Sequence, residues 1–301
     1  MNLWHLAIFH AVAENGRVSA GAAQLRISQP AVTRQLRQLE TELGSTLFDR
    51  LPRGVRLTES GVLLHDYAQR IFALEREAET AIREMQQLYT GQLAIGASST
   101  IGNYLLPPIL AEFRQRYPGV EITVEISNTH NIEADLLTRR LALGLTEGLL
   151  RAPELHAEVF LQDEIIPIAA AGHPLARLRR ISAQALSRET LLQRETGSGT
   201  REFVDEMLHQ WHLQFAHTIC LGSTEAIKKM VATGSGVAFL SRLTVEEELQ
   251  KGVLKLLQIP ELPLKRPLHW VRLHHRHLPT AAVAFLALLP RMDSMSPGLQ
   301  T

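Results

Sequence analysis

Gln29, Thr33, Arg34 and Arg37 recur at helical spacing and carry amide, hydroxyl and guanidinium groups. Gln29, Thr33 and Arg34 fall in the first turn and a half, where side chains reach base edges: glutamine pairs with adenine and arginine with guanine, each bidentately and each worth about 1–3 kcal/mol of discrimination. Ser28 and Pro30 complete the segment. Arg37, with Arg50, Arg53 and Arg56 in a short run beyond it, suits phosphate or minor-groove contacts, which add affinity without reading sequence. Residues 1–60 hold seven arginines against five acids, so the local patch is mildly basic. The chemistry is that of a helix laid in the major groove of duplex DNA.

The elements that would hold these groups are short helices. Ser19 is placed to cap a helix carrying Ala22, Ala23 and Leu25, and Arg26-Ile27 makes a turn. Ser28 then caps a second helix with Pro30 in its first turn, where a missing N–H costs nothing. Val32, Leu36, Leu39 and Leu43 form its inward stripe and leave the polar groups outward. An earlier helix is predicted over Leu3 to Ala13, with Leu6, Phe9 and Val12 on one side, stopping near Asn15-Gly16. Leu47-Phe48 should plug this small core, and Arg50 to Leu57 reads as a two-stranded wing turning at Pro52 to Gly54.

From Thr58 a long helix is expected. Leu64, Tyr67, Ile71, Leu74, Ala78, Ala81, Met85 and Leu88 keep alternating spacings of three and four, an a/d seam fit for pairing with a twin helix. At about 30 residues it would span ~45 Å, ending at Gly91. Beyond it strands and helices alternate. Strands are predicted over Leu93–Ala97, Val120–Ser127, Leu141–Thr146, Ile165–Ala171, His217–Leu221, Val237–Leu240 and Pro267–Leu273. Helices are predicted over Ile101–Tyr117, Ile132–Arg140, Ser182–Leu186, Thr200–Trp211, Thr224–Thr233 and Thr280–Leu289. This alternation argues for an α/β fold with open parallel-type sheets in two lobes around a cleft.

Ligands of open α/β sheets sit beyond the carboxyl ends of strands. Those ends carry Ser98-Ser99-Thr100, Asn128-Thr129-His130-Asn131, Glu147, Thr196-Gly197-Ser198-Gly199-Thr200 and Ser223-Thr224. Most are hydroxyl or amide groups, and three clusters precede predicted helices, whose free N–H groups favour a small anion, inorganic or carboxylate. Each cluster alone also fits a plain helix cap. Glu147 opposes an anion unless it bonds a protonated group or holds His130.

Bulk properties narrow the classes further. An apolar fraction of 45% suits a protein with real cores, and the zero formal charge argues for no particular partner. The single cysteine, Cys220, excludes an internal disulfide and fits a reducing cytosol. His5 and His10 interrupt the first apolar stretch, so no signal peptide is expected. Ala281 to Leu289 falls far short of the ~20 residues a membrane span needs, so a soluble, cytoplasmic protein is expected. His269, His274, His275 and His277 lack acidic or thiol neighbours, and neither a metal site nor a cofactor is expected. Gly197-Ser198-Gly199 and Gly234-Ser235-Gly236 lack the nucleophile-elbow pattern of hydrolases.

Residues 3 to 61 resemble the winged helix-turn-helix of the LysR-type transcriptional regulators. The resemblance rests on Leu3…Phe9…Val12, Ala22-Ala23…Leu25, Ile27-Ser28-Gln29-Pro30-Ala31-Val32-Thr33, Leu39-Glu40…Leu43-Gly44…Leu47-Phe48…Arg50 and Leu57-Thr58…Gly61. Ala142, within Arg140 to Gly144, departs from the family, where an aspartate is usual; this bears on a polar contact near the lobe core, not on the fold. The resemblance implies a DNA-binding domain over 1–58, a linker and dimerisation helix over 59–90, and an effector-binding domain over 91–301. That last domain would resemble periplasmic binding proteins, with one lobe at about 91–162 and 268–291 and the other at about 163–267. It further implies a homodimer or homotetramer on double-stranded promoter DNA, at an inverted repeat with half-sites a whole number of ~34 Å turns apart. A small effector, here an anion, would modulate it, and RNA polymerase would be a partner if it activates. The competing reading is a small-molecule-binding or enzymatic α/β protein with an incidental helical extension at its amino terminus.

Overall fold

A computed structural model of the chain describes residues 1–51, 54–84, 91–148, 150–259 and 265–290. Arg53, Met85 and Leu88 of the expected sites lie outside them, as do the side chains of Arg50 and Ala81. The chain divides into two compact units, residues 1–82 and 83–301.

The first unit begins with α1 (Leu3–Asn15), α2 (Val18–Gln24) and α3 (Gln29–Leu43), followed by β1 (Phe48–Leu51), β2 (Gly54–Leu57) and α4 (Glu59–Glu84). Leu6, Phe9, Val12, Val32, Leu36, Leu39 and Leu47 form its core. Ser19 does not cap α2. Gly16 turns left-handed at φ 62°, Arg17 takes the cap position, and Ser19 falls inside the first turn. Arg26 itself adopts φ 55°, which closes the turn before α3. Ser28 caps α3 as expected, accepting from Ala31 N at 3.4 Å.

Thr58 caps α4 by accepting from Gly61 N at 3.0 Å. Gly61 is required there, because a Cβ would lie 2.1 Å from Leu47 O. The expected pairing seam of α4 splits. Leu64 and Ile71 pack against this unit's own core, whereas Tyr67 and Leu74 are about half exposed, at 50% and 51%. Ala78 is exposed as well. Helical periodicity is the same whether a stripe meets its own domain or a twin, so spacing alone could not separate them.

The second unit runs β3 (Gly91–Ser98), a π-helical turn (Ile101–Leu105), α5 (Leu106–Arg116), β4 (Val120–Ser127), α6 (Thr129–Leu137), β5 (Leu143–Glu147) and β6 (Leu155–Ala170). A 3-10 turn (Pro174–Arg177), α7 (Ala183–Ser187), β7 (Thr190–Arg194), α8 (Gly199–Gln210), β8 (His217–Leu221) and α9 (Thr224–Ala232) follow. It ends with β9 (Ala238–Ser241), α10 (Arg242–Gln250), β10 (Leu254–Leu256), β11 (Lys265–Leu273) and α11 (Thr280–Leu286). The helix expected from Ile101 to Tyr117 is present to Arg116, but its first part is π-helical, with Leu106 N donating to Ile101 O just before Pro107 and Pro108, which have no N–H to continue the regular ladder.

The sheets are mixed rather than purely parallel. β3 pairs with β4 and β5 in parallel, and β7 with β8. β11 runs antiparallel to β5 and β6, and β9 and β10 run antiparallel to β6. The strand order is β10-β6-β11-β5-β3-β4 among the described residues, with β9 also on β6. β6 therefore passes through both halves of this unit: residues 155–164 pair with β11, and residues 165–170 with β9 and β10. One core gathers Leu93, Ile95, Ile101, Phe113, Leu143, Leu145 and Phe285. Another gathers Ile165, Leu191, Val204, Met207, Val237 and Phe239. Among the described residues no helix is long and apolar enough to cross a membrane.

Candidate functional site

On the first unit, α3 presents Gln29, Pro30, Arg34 and Arg37 to solvent, and Thr33 half-exposed. Thr33 Oγ1 donates to Gln29 O at 3.0 Å, so its hydroxyl is partly engaged along the helix. These side chains line a groove of about 440 Å³. A second groove of about 570 Å³ runs from Gln29, Thr33 and Arg37 to the wing residues Leu51, Gly54 and Val55. The wing is anchored by Val55 N, which donates to Gly16 O at 3.0 Å. Arg56 is exposed but sits 3.3 Å from Asp49, which offsets part of its charge. Arg17 lines the same groove and was not singled out from sequence; its place beside the Gly16 turn, directly before α2, was the available signal.

On the second unit, the structure gathers part of the hydroxyl-rich strand ends into a buried network. Ser98 donates to Glu147 Oε2, and Thr200 Oγ1 donates to Glu147 Oε1 at 3.3 Å. Thr129 Oγ1 donates to the Glu147 carbonyl at 3.1 Å. Arg266, fully buried, crowns the network. Its Nη1 donates to Thr200 at 2.9 Å and lies 3.7 Å from Glu147. Its Nη2 donates to Thr100 at 3.4 Å, while Nε donates to Asp163 at 2.8 Å. Ser241 Oγ donates to the other Asp163 oxygen at 2.7 Å. Glu147 is thus balanced by Arg266 and two hydroxyls, and it does not hold His130.

A second cluster joins the same two halves. Arg194, 3% exposed, donates to Thr224 at 3.0 Å and to Ser99 at 3.2 Å. Its guanidinium forks onto Glu195 at 2.7 and 2.8 Å. Burial would raise the Glu195 pKa, but the hydrogen bonds from Arg194 outweigh it and hold the carboxyl below its ordinary value. Farther along, Lys228 lies 2.8 Å from both Glu225 and Glu248, and Tyr104 donates to Glu225. Burial and the Glu225 contact push the Tyr104 hydroxyl up to about 12. The Lys228 pKa is raised because its hydrogen bonds to Glu225, Glu248 and Tyr104 overcome burial.

Asn128 reaches the second cluster through a side-chain hydrogen bond to Glu195, and the remaining expected residues stay outside both. Asn128 caps α6, accepting from Asn131 N at 3.0 Å, and Ser223 caps α9, accepting from Ala226 N at 3.4 Å. Exposed Asn131 donates to Ser127, and exposed Thr196 accepts from Arg201 at 3.3 Å. His130 is exposed, though its backbone N–H donates to Gly197 O at 3.2 Å. Ser198 differs: it is 2% exposed and holds the cap position of α8, yet its side chain makes no cap hydrogen bond. Gly199 admits no side chain, since a Cβ would lie 2.0 Å from Glu147 O. Arg266, Asp163, Arg194 and Lys228 were not read from sequence as functional. Their pairings arise from strand register and packing, which a run of residues does not display.

Comparison with known proteins gives consistent matches. The model for the bacterial regulatory helix-turn-helix protein, lysR family, matches residues 3–62, and the LysR substrate binding domain model matches residues 86–293. The HTH-type transcriptional regulator YeiE of Escherichia coli is 37% identical over 288 residues, 95% of this chain and 96% of that protein. The regulatory domain of CcmR from Synechocystis, solved in complex with 2-PG, is 32% identical with a TM-score of 0.61, covering 66% of this chain and 95% of that one. Full-length CbnR, solved with its target DNA, shares the fold with a TM-score of 0.69 at 19% identity, covering 96% of this chain and 99% of that one.

Proposed function

The chain belongs to the LysR family of transcriptional regulators, and from that premise we propose that it reads an operator through α3 and is modulated by a small anion held at the clustered strand ends. It is a DNA-binding regulator with an effector domain, not an enzyme. The observation that carries the anion assignment is the amino terminus of α8. Buried Ser198 leaves the first-turn N–H groups of this helix uncapped by its side chain, beside Thr200 and Gly199. Such a terminus favours negative charge through its N–H groups and the helix dipole.

The buried cations near it are already matched: Arg266 by Asp163 and Glu147, Arg194 by Glu195. An effector that brings one or two negative charges and accepts from hydroxyls suits this balance better than a large polyanion. The similarity to the CcmR regulatory domain, solved with 2-PG, supports a small anionic ligand. In this reading the two lobes, about 91–162 with 268–291 and about 163–267, close on the anion, and operator binding changes with it. The chain works as a homodimer or homotetramer in the cytoplasm, on promoter DNA with inverted half-sites, and engages RNA polymerase if it activates.

Calorimetric titration of the full chain with small phosphate and carboxylate anions, 2-PG among them, tests the ligand class. Binding by at least one, lost in Thr200→Val, is the expected result. No binding by any anion, with neutral ligands binding instead, overturns the anion assignment.

A further inference from the structure

His10 and Glu14 stand one turn apart on α1, and His65 on α4 faces them inside the first unit. One ligand atom from each lies within 4.8 Å of the others. His65 Nε2 is 3.0 Å from Glu14 Oε1, and the His10 and His65 rings stack with centroids 5.2 Å apart. Gln69, a turn farther along α4, donates to the same Glu14 oxygen at 3.5 Å. These residues lie on α1 and α4, whereas the DNA-facing groups named above lie on α3, the wing and the turn before α2. Nothing in the regulator's proposed action uses them.

We propose that His10, Glu14 and His65 bind one divalent late first-row transition-metal ion, with water completing the coordination. Two imidazoles and a carboxylate form a donor set that holds zinc tetrahedrally with one open position. With metal bonds of about 2.0–2.2 Å, adjacent donors in such a tetrahedron lie about 3.3 Å apart. The His65–Glu14 contact is already near that value, and a side-chain adjustment of at most about 1.5 Å closes any wider gap. His10 Nδ1 is buried without a hydrogen-bond partner, an arrangement that buried polar atoms ordinarily avoid.

Near His10, Glu14 favours a cation and the permanent charge of Arg76 opposes one, as does His65 when protonated. Arg76 is exposed, and its long side chain can turn its head to solvent. The harder cations Mg²⁺ and Ca²⁺ prefer all-oxygen sites, so an imidazole-rich set selects zinc-like ions. Bound metal would cross-link α1, which carries the core of the winged domain, to the long helix α4.

The full chain, stripped with a chelator and re-equilibrated with Zn²⁺ or Co²⁺, is desalted and its metal counted. One retained equivalent is expected, with a tetrahedral visible spectrum for Co²⁺ and a rise in Tm on adding Zn²⁺. His65→Gln abolishes all three, and Glu14→Gln weakens binding at least about tenfold, since even outer partners of a metal site contribute 10- to 100-fold. Glu14 is exposed, so its variant folds even where His10→Gln does not. A His274→Gln/His275→Gln variant retains the metal. No retained zinc in the wild type, unchanged affinity in the Glu14 and His65 variants, or dependence on His274 and His275 overturns the proposal; the cluster is then a hydrogen-bonded histidine pair.

Discussion

Arg266 Nη2 lies 2.7 Å from Asp163 Oδ2, and neither side chain reaches solvent to more than 1%. The two residues are register partners on the antiparallel pair β11 and β6, at the place where β6 leaves one half of the domain for the other. Glu147 faces the same guanidinium, so two carboxylates depend on one cation. Removing one member of a buried pair leaves uncompensated charge, at a cost of about 3–5 kcal/mol. Arg266→Met is expected to destabilise the residue 83–301 unit by about that amount in urea unfolding. A loss below about 1 kcal/mol, the range of an exposed pair, would contradict the network's role.

Gly199 tests the close approach of the amino terminus of α8 to the end of β5. Its Cβ would fall 2.0 Å from Glu147 O and 2.8 Å from Thr129 Oγ1. Gly199→Ala is expected to cost about 1–3 kcal/mol, as overpacking does, and to abolish the anion response in titration. Wild-type stability with an intact response would show that α8 and β5 move apart freely at this point.

The arginines divide by role. Arg37→Ala should weaken DNA binding evenly across sequences and reduce the slope of log affinity against log salt by about 1. Arg56→Ala should reduce it less, because Asp49 at 3.3 Å already offsets that charge. Binding titrations over a range of salt measure both. Equal slopes for the two variants would remove the distinction.

Glu195 gives the domain an acid sensitivity of known sign. Its folded pKa lies below the ordinary value of 4.5, so the unfolded chain binds the proton more readily. The contribution to stability is therefore complete above that value and is lost as pH falls through the folded pKa. Thermal melts should show the wild type converging on Glu195→Gln as the pH drops below about 4.5. A gap between them that is constant with pH would contradict the Arg194–Glu195 pairing.

What the sequence made legible was local. Ser28 as a cap, the inward stripe of α3 from Val32 to Leu39 and the paired strands of the wing follow from neighbouring residues, and the structure has them in place, whereas Leu43 at the end of α3 is exposed rather than part of the stripe. Ser98, Thr100, Glu147 and Thr200 were visible because each ends a strand or opens a helix. Arg266 and Asp163 were not, because they are 103 residues apart and meet only through strand register. The first half of β6 was missed for a related reason: its burial does not alternate regularly, and its pairing with β11 shifts register between Leu268 and His269. His10 read as a break in an apolar stretch, and only packing of α1 on α4 brings it to His65.

The central claim is that α3 reads bases through Gln29 and Arg34. Selection from a random pool of duplex DNA, with the wild type and with Gln29→Ala/Arg34→Ala, tests it most directly. The wild type is expected to enrich an inverted repeat, and the variant to lose that preference while keeping salt-dependent binding. Enrichment of the same repeat by both proteins would contradict the account.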